Sequence, residues 1–188
     1  MKILSFFLLT GLLFLSQSCN KKNSNPVNIT NANFGISGYE VPVPTTITFT
    51  NISQNATSYL WDFGDGSTST QFNPAHTYAS AGTYSLKLTA IGPTGQNDIC
   101  KQVDVEQLLT GHSAFSYFLD RCTGIPVNIA FRSLNPGSSN FSWDFGNGGI
   151  SVINSPFISY VLTGDYTIRF SSRINGVQDT VTRILRIQ

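Results

Sequence analysis

One short segment occurs twice in this chain. Trp-Asp-Phe-Gly-Asp-Gly occupies residues 61–66, and Trp-Asp-Phe-Gly-Asn-Gly occupies residues 143–148. Around these segments the sequence aligns with itself without a gap, at an offset of 82 residues, over about residues 47–89 of the first copy. A repeat of this length is a complete structural unit, so the duplication predicts two domains of the same fold.

Within each copy, apolar side chains alternate with polar ones. The alternating sets are Tyr59, Trp61, Phe63, Tyr84, Leu86 and Leu88 in the first copy, and Phe141, Trp143, Phe145, Tyr166, Ile168 and Phe170 in the second. A period of two over short runs, interrupted by Gly and Pro, is typical of half-buried strands. We therefore expect an all-β protein in which each copy is a small antiparallel β-sandwich.

The Asp-Gly and Asn-Gly pairs mark a chain reversal after the strand that carries each tryptophan. Both pairs are typical of a tight hairpin in which the two central residues have positive φ. A carboxylate that bound a metal or moved protons would lose that chemistry on becoming an amide, whereas a turn accepts either residue. The change from Asp65 to Asn147 therefore favours a turn over an active site.

The N-terminus has the layout of an export signal. Lys2 precedes the apolar run 3–15, which is followed by Ser16-Gln17-Ser18 and then Cys19. This order predicts a signal peptide over residues 1–18. The cysteine resembles the one in the lipobox of bacterial lipoproteins, which carries a diacylglycerol, so we expect lipidation at Cys19. Ordinary secretion, with Cys19 incidental, is the alternative.

Composition and charge suggest the remaining boundaries. Residues 19–33 lack apolar periodicity and are expected to form a lipidated flexible tether. The first domain is placed at residues 34–107, a linker at 108–112, and a second domain at 113–188. Lys and Arg number 11 against 10 Asp and Glu, so the charge balance indicates neither nucleic acid nor an anionic membrane surface as a partner.

Three arginines form a candidate patch in the second domain. By alternation, Arg169 and Arg173 share the outward face of one strand, and Arg186 joins them from the last strand. Such a patch suits an anionic ligand or an interdomain contact, although an ordinary solvated sheet face is also consistent with it.

At this level of detail the first copy resembles the PKD domain, a module found in many exported bacterial proteins. The resemblance rests on the Trp-Asp-Phe-Gly-Asp-Gly segment, the Asn-Pro-Ala-His-Thr-Tyr segment and the Gly-Thr-Tyr segment. The second copy is similar but has Ile158 in place of His76. The resemblance implies two tandem immunoglobulin-like sandwiches used for binding, adhesion or spacing. Tyr84 and Tyr166 resemble the tyrosine corner of such folds.

Catalysis finds little support in the residues. His76 and His112 are the only histidines, and His76 is absent from the sister copy, so we expect no enzyme and no cofactor. Some PKD domains bind calcium, but Asp62 and Asp65 form a sparse ligand set, so no metal site is predicted. Outward aromatic rings suited to sugar binding are limited to Tyr39, Phe72 and Phe157, which are also consistent with core edges.

Cys100 and Cys122 fall in different domains but in an oxidising compartment. They lie at similar distances from the linker. If the domains run end to end, the two sulfurs are too far apart for a disulfide. If the domains fold back side by side, the cysteines become level. We favour the folded-back, bridged form, with two buried free thiols as the alternative.

Together these features predict a noncatalytic lipoprotein of the bacterial cell envelope, placed in the outer membrane by its anchor. Its PKD-like domains are expected to mediate protein or carbohydrate binding or adhesion. The alternative is a structural spacer or assembly subunit of an envelope complex. The expected partners are an envelope protein or glycan and, through the lipid, the membrane.

Overall fold

The computed structural model describes residues 28–37, 43–107, 112–135 and 137–188. The strands of the first half are β1 (Phe34–Ser37), β2 (Thr45–Asn51), β3 (Ser58–Asp62), β4 (Thr68–Ser69), β5 (Ala75–Tyr78), β6 (Gly82–Gly92) and β7 (Gly95–Val105). Those of the second half are β8 (Phe115–Leu119), β9 (Val127–Ser133), β10 (Ser139–Asp144), β11 (Ile150–Ser151), β12 (Phe157–Tyr160), β13 (Gly164–Ile174) and β14 (Val177–Ile187). Among the described residues, no helix has the length and apolar character needed to cross a bilayer.

The first half forms one antiparallel sandwich. A sheet of β1, β2 and β5 packs against β4, β3, β6 and β7. The period-two pattern places every second side chain of β2 inside, where Ile47 and Phe49 are fully buried. Their rings and branches surround Trp61, which contacts Phe34 edge-on at a centroid distance of 5.2 Å.

The second half repeats this sandwich strand by strand. Sheet β12-β9-β8 packs against β11-β10-β13-β14, and β9 to β14 follow β2 to β7 at the offset of the sequence repeat. Trp143 takes the place of Trp61, and Phe115 meets it edge-on at 5.3 Å. The prediction of an all-β chain with two tandem immunoglobulin-like sandwiches is therefore confirmed.

The tyrosine corners are confirmed as well. The Tyr84 hydroxyl donates to the carbonyl of Ser80 at 2.8 Å, and the Tyr166 hydroxyl donates to the carbonyl of Leu162 at 2.9 Å. Each bond reaches back four residues from the start of a long strand. It therefore fixes the angle at which the chain enters that strand.

The two sandwiches share a sheet. Strand β7 pairs antiparallel with β8 through Gln102 opposite Leu119 and Val103 opposite Phe118. This pairing joins the four-stranded sheet of the first domain to the three-stranded sheet of the second, giving one sheet of seven strands. The domains therefore lie side by side rather than end to end.

The register of this pairing places the two cores on opposite faces of the shared sheet. Val103 points into the first core, and its partner Phe118 packs against that same core. Gln102 lies on the other face, together with Leu119, which belongs to the second core. Neighbouring residues of a strand alternate between the two faces of a sheet. The sheet β1-β2-β5 therefore packs on one face of the shared sheet, and the sheet β11-β10-β13-β14 packs on the opposite face.

A disulfide joins Cys100 to Cys122, with their Cα atoms 5.4 Å apart. Cys100 lies in β7, and Cys122 follows β8 by three residues. The bridge therefore closes the shared sheet beside its β7–β8 seam. Residues 108–111 of the predicted linker lie outside the described residues.

The predicted tether boundary at residue 33 is wrong. The backbone N–H of Thr30 donates to the Thr94 hydroxyl at 3.0 Å, and that of Ala32 donates to the Asn97 side chain at 2.9 Å. Thr30 and Ala32 are buried, and Asn31 forms a β-bridge with Gln54. Residues 28–33 lacked periodicity because their contacts are polar bonds to loops and to the start of β7. The predicted signal peptide, Cys19 and the tether up to residue 27 lie outside the described residues.

Replacing both cysteines, Cys100→Ser with Cys122→Ser, should lower the free energy of unfolding by about 3 kcal/mol, because the bridge restricts the unfolded chain. Urea denaturation monitored by tryptophan fluorescence measures this change. Dithiothreitol should shift the wild-type midpoint in the same way and leave the double variant unchanged. Alkylation of both thiols in the unreduced, denatured wild type would contradict the bridge.

Candidate functional site

The repeated Trp-Asp-Phe-Gly segment forms a five-residue loop between two strands in each domain. In the first domain the N–H of Phe63 donates to the carbonyl of Ser67 at 3.1 Å, and the same bond joins Phe145 to Gly149 in the second. The positive φ values fall on Gly64 and Gly66, not on Asp65. The predicted hairpin with Asp-Gly as its two central residues is therefore wrong.

Asp65 has a different part in the loop. Its Oδ1 accepts the backbone N–H of Ser67 at 3.0 Å, and Oδ1 of Asn147 accepts that of Gly149 at 2.9 Å. An amide oxygen accepts this bond as well as a carboxylate oxygen does. Asp and Asn are interchangeable here because of this acceptor, and not because they tolerate positive φ.

Gly64 is required at its position for two reasons. Its φ is +81°, and a Cβ there would lie 2.6 Å from the carbonyl oxygen of Ser85. Gly146 has the same fit against Thr167, with 2.8 Å to its carbonyl oxygen. The loop therefore lies directly on the backbone of the following long strand.

Buried polar groups of two aromatic residues donate to carbonyls of the loop and of the chain that follows it. The Tyr78 hydroxyl donates to the carbonyl of Phe63 at 2.8 Å, and the Trp61 indole donates to the carbonyl of Gln71 at 2.8 Å. Tyr160 and Trp143 make the equivalent bonds in the second domain. Burial raises the pKa of Tyr78 well above its ordinary range, so the hydroxyl stays protonated and remains a donor.

The two carboxylates of the first loop are already engaged with protein groups. Oδ1 of Asp62 accepts the N–H of Gly64 at 2.9 Å, and Oδ2 of Asp65 lies 2.6 Å from Nε2 of His76. The part of the chain that the structure describes contains no group of three or more His, Cys, Asp or Glu placed to hold a metal ion. The loop therefore offers calcium no ligand set beyond the sparse one seen in the sequence.

His76 closes the loop rather than opening a cleft. Its ring stacks on Phe63 at a centroid distance of 4.3 Å and donates towards Asp65. Burial opposes ionisation of Asp65, but bonds from His76 and Ser67 outweigh it and hold the pKa of this carboxyl below its usual value. The resulting stabilisation is present above about pH 4, the pKa of a free Asp, and is lost as the pH falls through the lowered folded value.

The second histidine lies near the start of the second domain. Nδ1 of His112 is 3.8 Å from Oδ2 of Asp179, and the backbone N–H of Ser113 donates to the same carboxylate. These bonds join the chain before β8 to strand β14. His112 and His76 thus lie in different domains, each beside its own carboxylate.

The strongest polar contact between the domains centres on Arg183 of β14. Its guanidinium donates to both carboxylate oxygens of Asp104 at 2.7 and 2.9 Å and lies 2.7 Å from Oε1 of Glu106. Asp104 is only 2% exposed. Burial opposes the charge of Arg183, but the two carboxylates outweigh it and hold the pKa of the guanidinium above its ordinary value.

Arg183 has an equivalent in the first domain. Lys101 occupies the same place in β7, donates to the carbonyl of Phe34 and lies over the rings of Phe34 and Phe118. Arg183 likewise donates to the carbonyl of Phe115 at 3.1 Å. Each cation therefore joins the last strand of its domain to the first, and Arg183 also contacts a carboxylate of the other domain.

The sequence interpretation did not single out either cation, although the pattern contained a signal. Lys101 stands at an inward position of the run Ile99, Val103 and Val105. Arg183 interrupts the inward set Val181, Leu185 and Ile187 in the same way. A charge at an inward position of an alternating strand indicates a partner, which is a carboxylate of the other domain for Arg183 and the carbonyl of Phe34 for Lys101.

The three predicted arginines lie on the outer face of the second domain, and one of them is paired with a carboxylate. Arg186 is held by Asp165 through bonds of 2.7 and 2.8 Å. Arg169 lies opposite Asp144 of β10, and Arg173 lies four residues further along β13. All three are exposed on the outer face of the second domain, which is not the face that carries Arg183. The prediction of an interdomain role for them is therefore wrong. Binding of an anionic ligand stays a prediction.

The aromatic candidates for sugar binding are dispersed. Phe72 is half exposed and packs edge-on against Tyr59 at 5.2 Å. Phe157 lies on β12 of the other domain and is 65% exposed. Tyr39 lies outside the described residues. Phe72 and Phe157 therefore do not form a common platform for a sugar ring.

The fold and its loops define a tandem immunoglobulin-like sandwich whose domains share a sheet. Residues 25–106 match the family model described as PKD domain. The chain is 43% identical over 70 residues to the pre-pro-metalloprotease PrtV of Vibrio cholerae, covering 36% of this chain and 8% of that protein. It is 37% identical over 106 residues to human polycystin-1, covering 52% of this chain and 2% of that protein.

Solved structures of similar sequence include two single domains. The crystal structure of the PKD1 domain of Vibrio cholerae PrtV is 32% identical, with 42% of this chain and 98% of that chain covered and a TM-score of 0.37. The PKD1 domain of Vibrio anguillarum Epp is 29% identical, with 43% and 99% covered and a TM-score of 0.38. The first sandwich belongs to the PKD domain family, and the second repeats its strands.

Asp65→Ala should lower the free energy of unfolding by about 1 kcal/mol or more, because the N–H of Ser67 and the ring of His76 both lose their acceptor. Asp65→Asn should cost less than about half of that, since Asn147 accepts the equivalent bond in the sister domain. Thermal and urea unfolding measure both changes. Equal losses in the two variants would show that charge, and not the acceptor, matters in this loop.

Arg183→Met should destabilise the protein by about 3 kcal/mol, because Asp104 would remain buried without its charged partner and keep only the Thr83 hydroxyl. Arg169→Met, which removes an exposed arginine of the neighbouring strand, is the matched control and should change stability by less than about 0.5 kcal/mol. Urea denaturation compares the two. Similar small effects from both variants would show that the Arg183–Asp104 ion pair does not stabilise the seam.

Proposed function

We propose that this chain is a noncatalytic lipoprotein of the bacterial cell envelope whose paired sandwiches bind an envelope protein or glycan. The observation that carries the proposal is that the chain's match to larger exported proteins is to their PKD domain. The aligned region covers 8% of the PrtV precursor, and a structure of its PKD1 domain alone is covered almost completely.

The geometry of the loops supports a noncatalytic role. In each domain the carboxylates of the repeated segment accept backbone N–H groups of their own loop. The only two histidines lie beside Asp65 and Asp179, in different domains. A nucleophile, a base and an orienting group within hydrogen-bond reach of one another are the minimum for covalent hydrolysis. The polar groups described above instead stabilise turns.

The N-terminal sequence supports the anchor and the location. A charged residue, an apolar run, small polar residues and Cys19 follow one another in the order of a lipoprotein signal. The anchor would hold the protein on a membrane of the envelope, and the outer membrane is the proposed location.

A second candidate function is that of a spacer or assembly subunit. The observation in its favour is the rigid seam, in which a shared sheet, a disulfide and the Arg183 ion pairs all join the two domains. Independent binding modules are commonly joined by flexible linkers, whereas a spacer must hold a fixed length.

Two measurements test the proposal. Labelled palmitate should enter the full chain expressed in a bacterial host, and Cys19→Ser should abolish the label; an unlabelled wild type would refute the anchor. Immobilised mature chain should then retain a purified glycan or an envelope protein by surface plasmon resonance. A second variant, Arg169→Glu with Arg173→Glu, should weaken retention if the ligand is anionic. No retention of any probe would favour the spacer.

A further inference from the structure

The second domain exposes a strip of large apolar side chains on the side away from the first domain. Each is between 58% and 80% exposed. The strip consists of Ile150, Val152, Ile153, Phe157, Val161 and Leu162. They lie on or beside β11 and β12, which are the last strands of the four-stranded and seven-stranded sheets at this edge. From residue 145 to residue 164 the sequence contains no Asp, Glu, Lys or Arg.

The first domain serves as an internal control for this strip. At the six equivalent positions it has small or polar residues that are also exposed. These residues are Thr68, Thr70, Gln71, Ala75, Ala79 and Ser80. The fold therefore does not require apolar side chains at these positions. A concentrated apolar surface that the fold does not need indicates a contact surface.

The position of the N-terminus indicates which surface the strip faces. The carbonyl of Asn28 accepts the hydroxyl of Thr94, at the turn that begins β7. Because β8 runs antiparallel to β7, the end of the second domain that carries Val161 and Leu162 points the same way as this turn. The lipid-proximal end of the chain and the Val161–Leu162 end of the strip thus lie towards the same end of the molecule.

The length of chain before Asn28 fits this arrangement. Eight residues, 20–27, separate Asn28 from Cys19, which makes nine Cα-to-Cα steps. At about 3.3 Å per residue, the segment spans at most roughly 30 Å. A lipid on Cys19 would therefore keep this end of the protein close to the bilayer and raise the effective concentration of lipid around the strip.

We propose that the apolar strip of the second domain docks on the lipid bilayer that holds the protein's own anchor. This inference rests on the lipid anchor of the proposed function. The contact takes apolar side chains into the headgroup and acyl boundary and needs no anionic lipid, because the segment from 145 to 164 is uncharged. A docked second domain would hold the pair of sandwiches flat on the membrane instead of upright.

The test uses mature chain, residues 19–188, carrying Cys19→Ser so that no lipid contributes. Flotation with neutral phosphatidylcholine vesicles should recover the protein, and 1 M NaCl should leave the recovery unchanged. A strip variant takes the residues of the sister domain, which are compatible with the fold. Its changes are Ile150→Thr, Val152→Thr, Phe157→Ala, Val161→Ala and Leu162→Ser. Its vesicle partition should fall about tenfold or more.

The matched control is Ile184→Gln, which removes an equally exposed isoleucine outside the strip. The glutamine it introduces is the residue at the equivalent position of the first domain, Gln102. It should keep the wild-type partition. The smaller variant Val161→Ala with Leu162→Ser should lose part of the binding if the larger variant does not fold. No flotation of the parent chain, or equal flotation of strip variant and control, would overturn the inference.

Sedimentation analysis separates the competing occupant. A dimer of the parent chain that the strip variant abolishes, without flotation, would assign the strip to a second copy and overturn membrane docking. The palmitate experiment tests the anchor independently. Labelled Cys19 without flotation would therefore overturn docking alone, whereas an unlabelled chain would overturn the proposed anchor, whatever the strip does.

Discussion

The pairing of β7 with β8 is the constraint on which the arrangement of the two domains depends. Among the described residues, the pairs across this seam are Gln102 with Leu119 and Val103 with Phe118. A slip of one residue would turn Leu119 out of the second core and Phe118 away from the first. The disulfide and the Arg183 ion pairs lie along the same seam and fix this register. The shared sheet, and the opposite placement of the two cores, follow from it.

The outer edge of the second domain lacks the groups that form the seam on the first. Strand β14 is equivalent to β7 and has its own outer edge, but its side chains differ. Thr182, Arg186 and Gln188 stand where β7 and its end have Cys100, Asp104 and Glu106. A domain that docked on β14 as the second domain docks on β7 would find no cysteine to bridge. In place of the buried carboxylate it would find Arg186, which would repel an arginine equivalent to Arg183. Among the described strands, β7 of the first domain is therefore the one whose edge carries the cysteine and the carboxylates of the seam.

Much of the fold within each domain was predictable, because alternation and the tryptophan repeat depend on local pattern. The arrangement between domains was less so, since a period of two defines which face is buried but not which edge meets another strand. The turn illustrates a second limit: Asp65 and Asn147 indicated the correct loop, but the sequence could not separate tolerance of positive φ from a side-chain acceptor. Residues 28–33 were misassigned because polar loop contacts leave no periodicity.

Duplication makes the divergence between the two domains informative. The cores kept the same aromatic residues, since Trp61 and Trp143 pack against equivalent rings and bond equivalent carbonyls. Close packing tolerates little change there. Exposed positions carry no such restriction, so a one-sided replacement of polar by apolar residues needs another cause. The first domain differs at the seam edge and the second at the β11–β12 edge. The seam edge is where the first domain meets the second, and the β11–β12 edge is the surface that we propose meets the membrane.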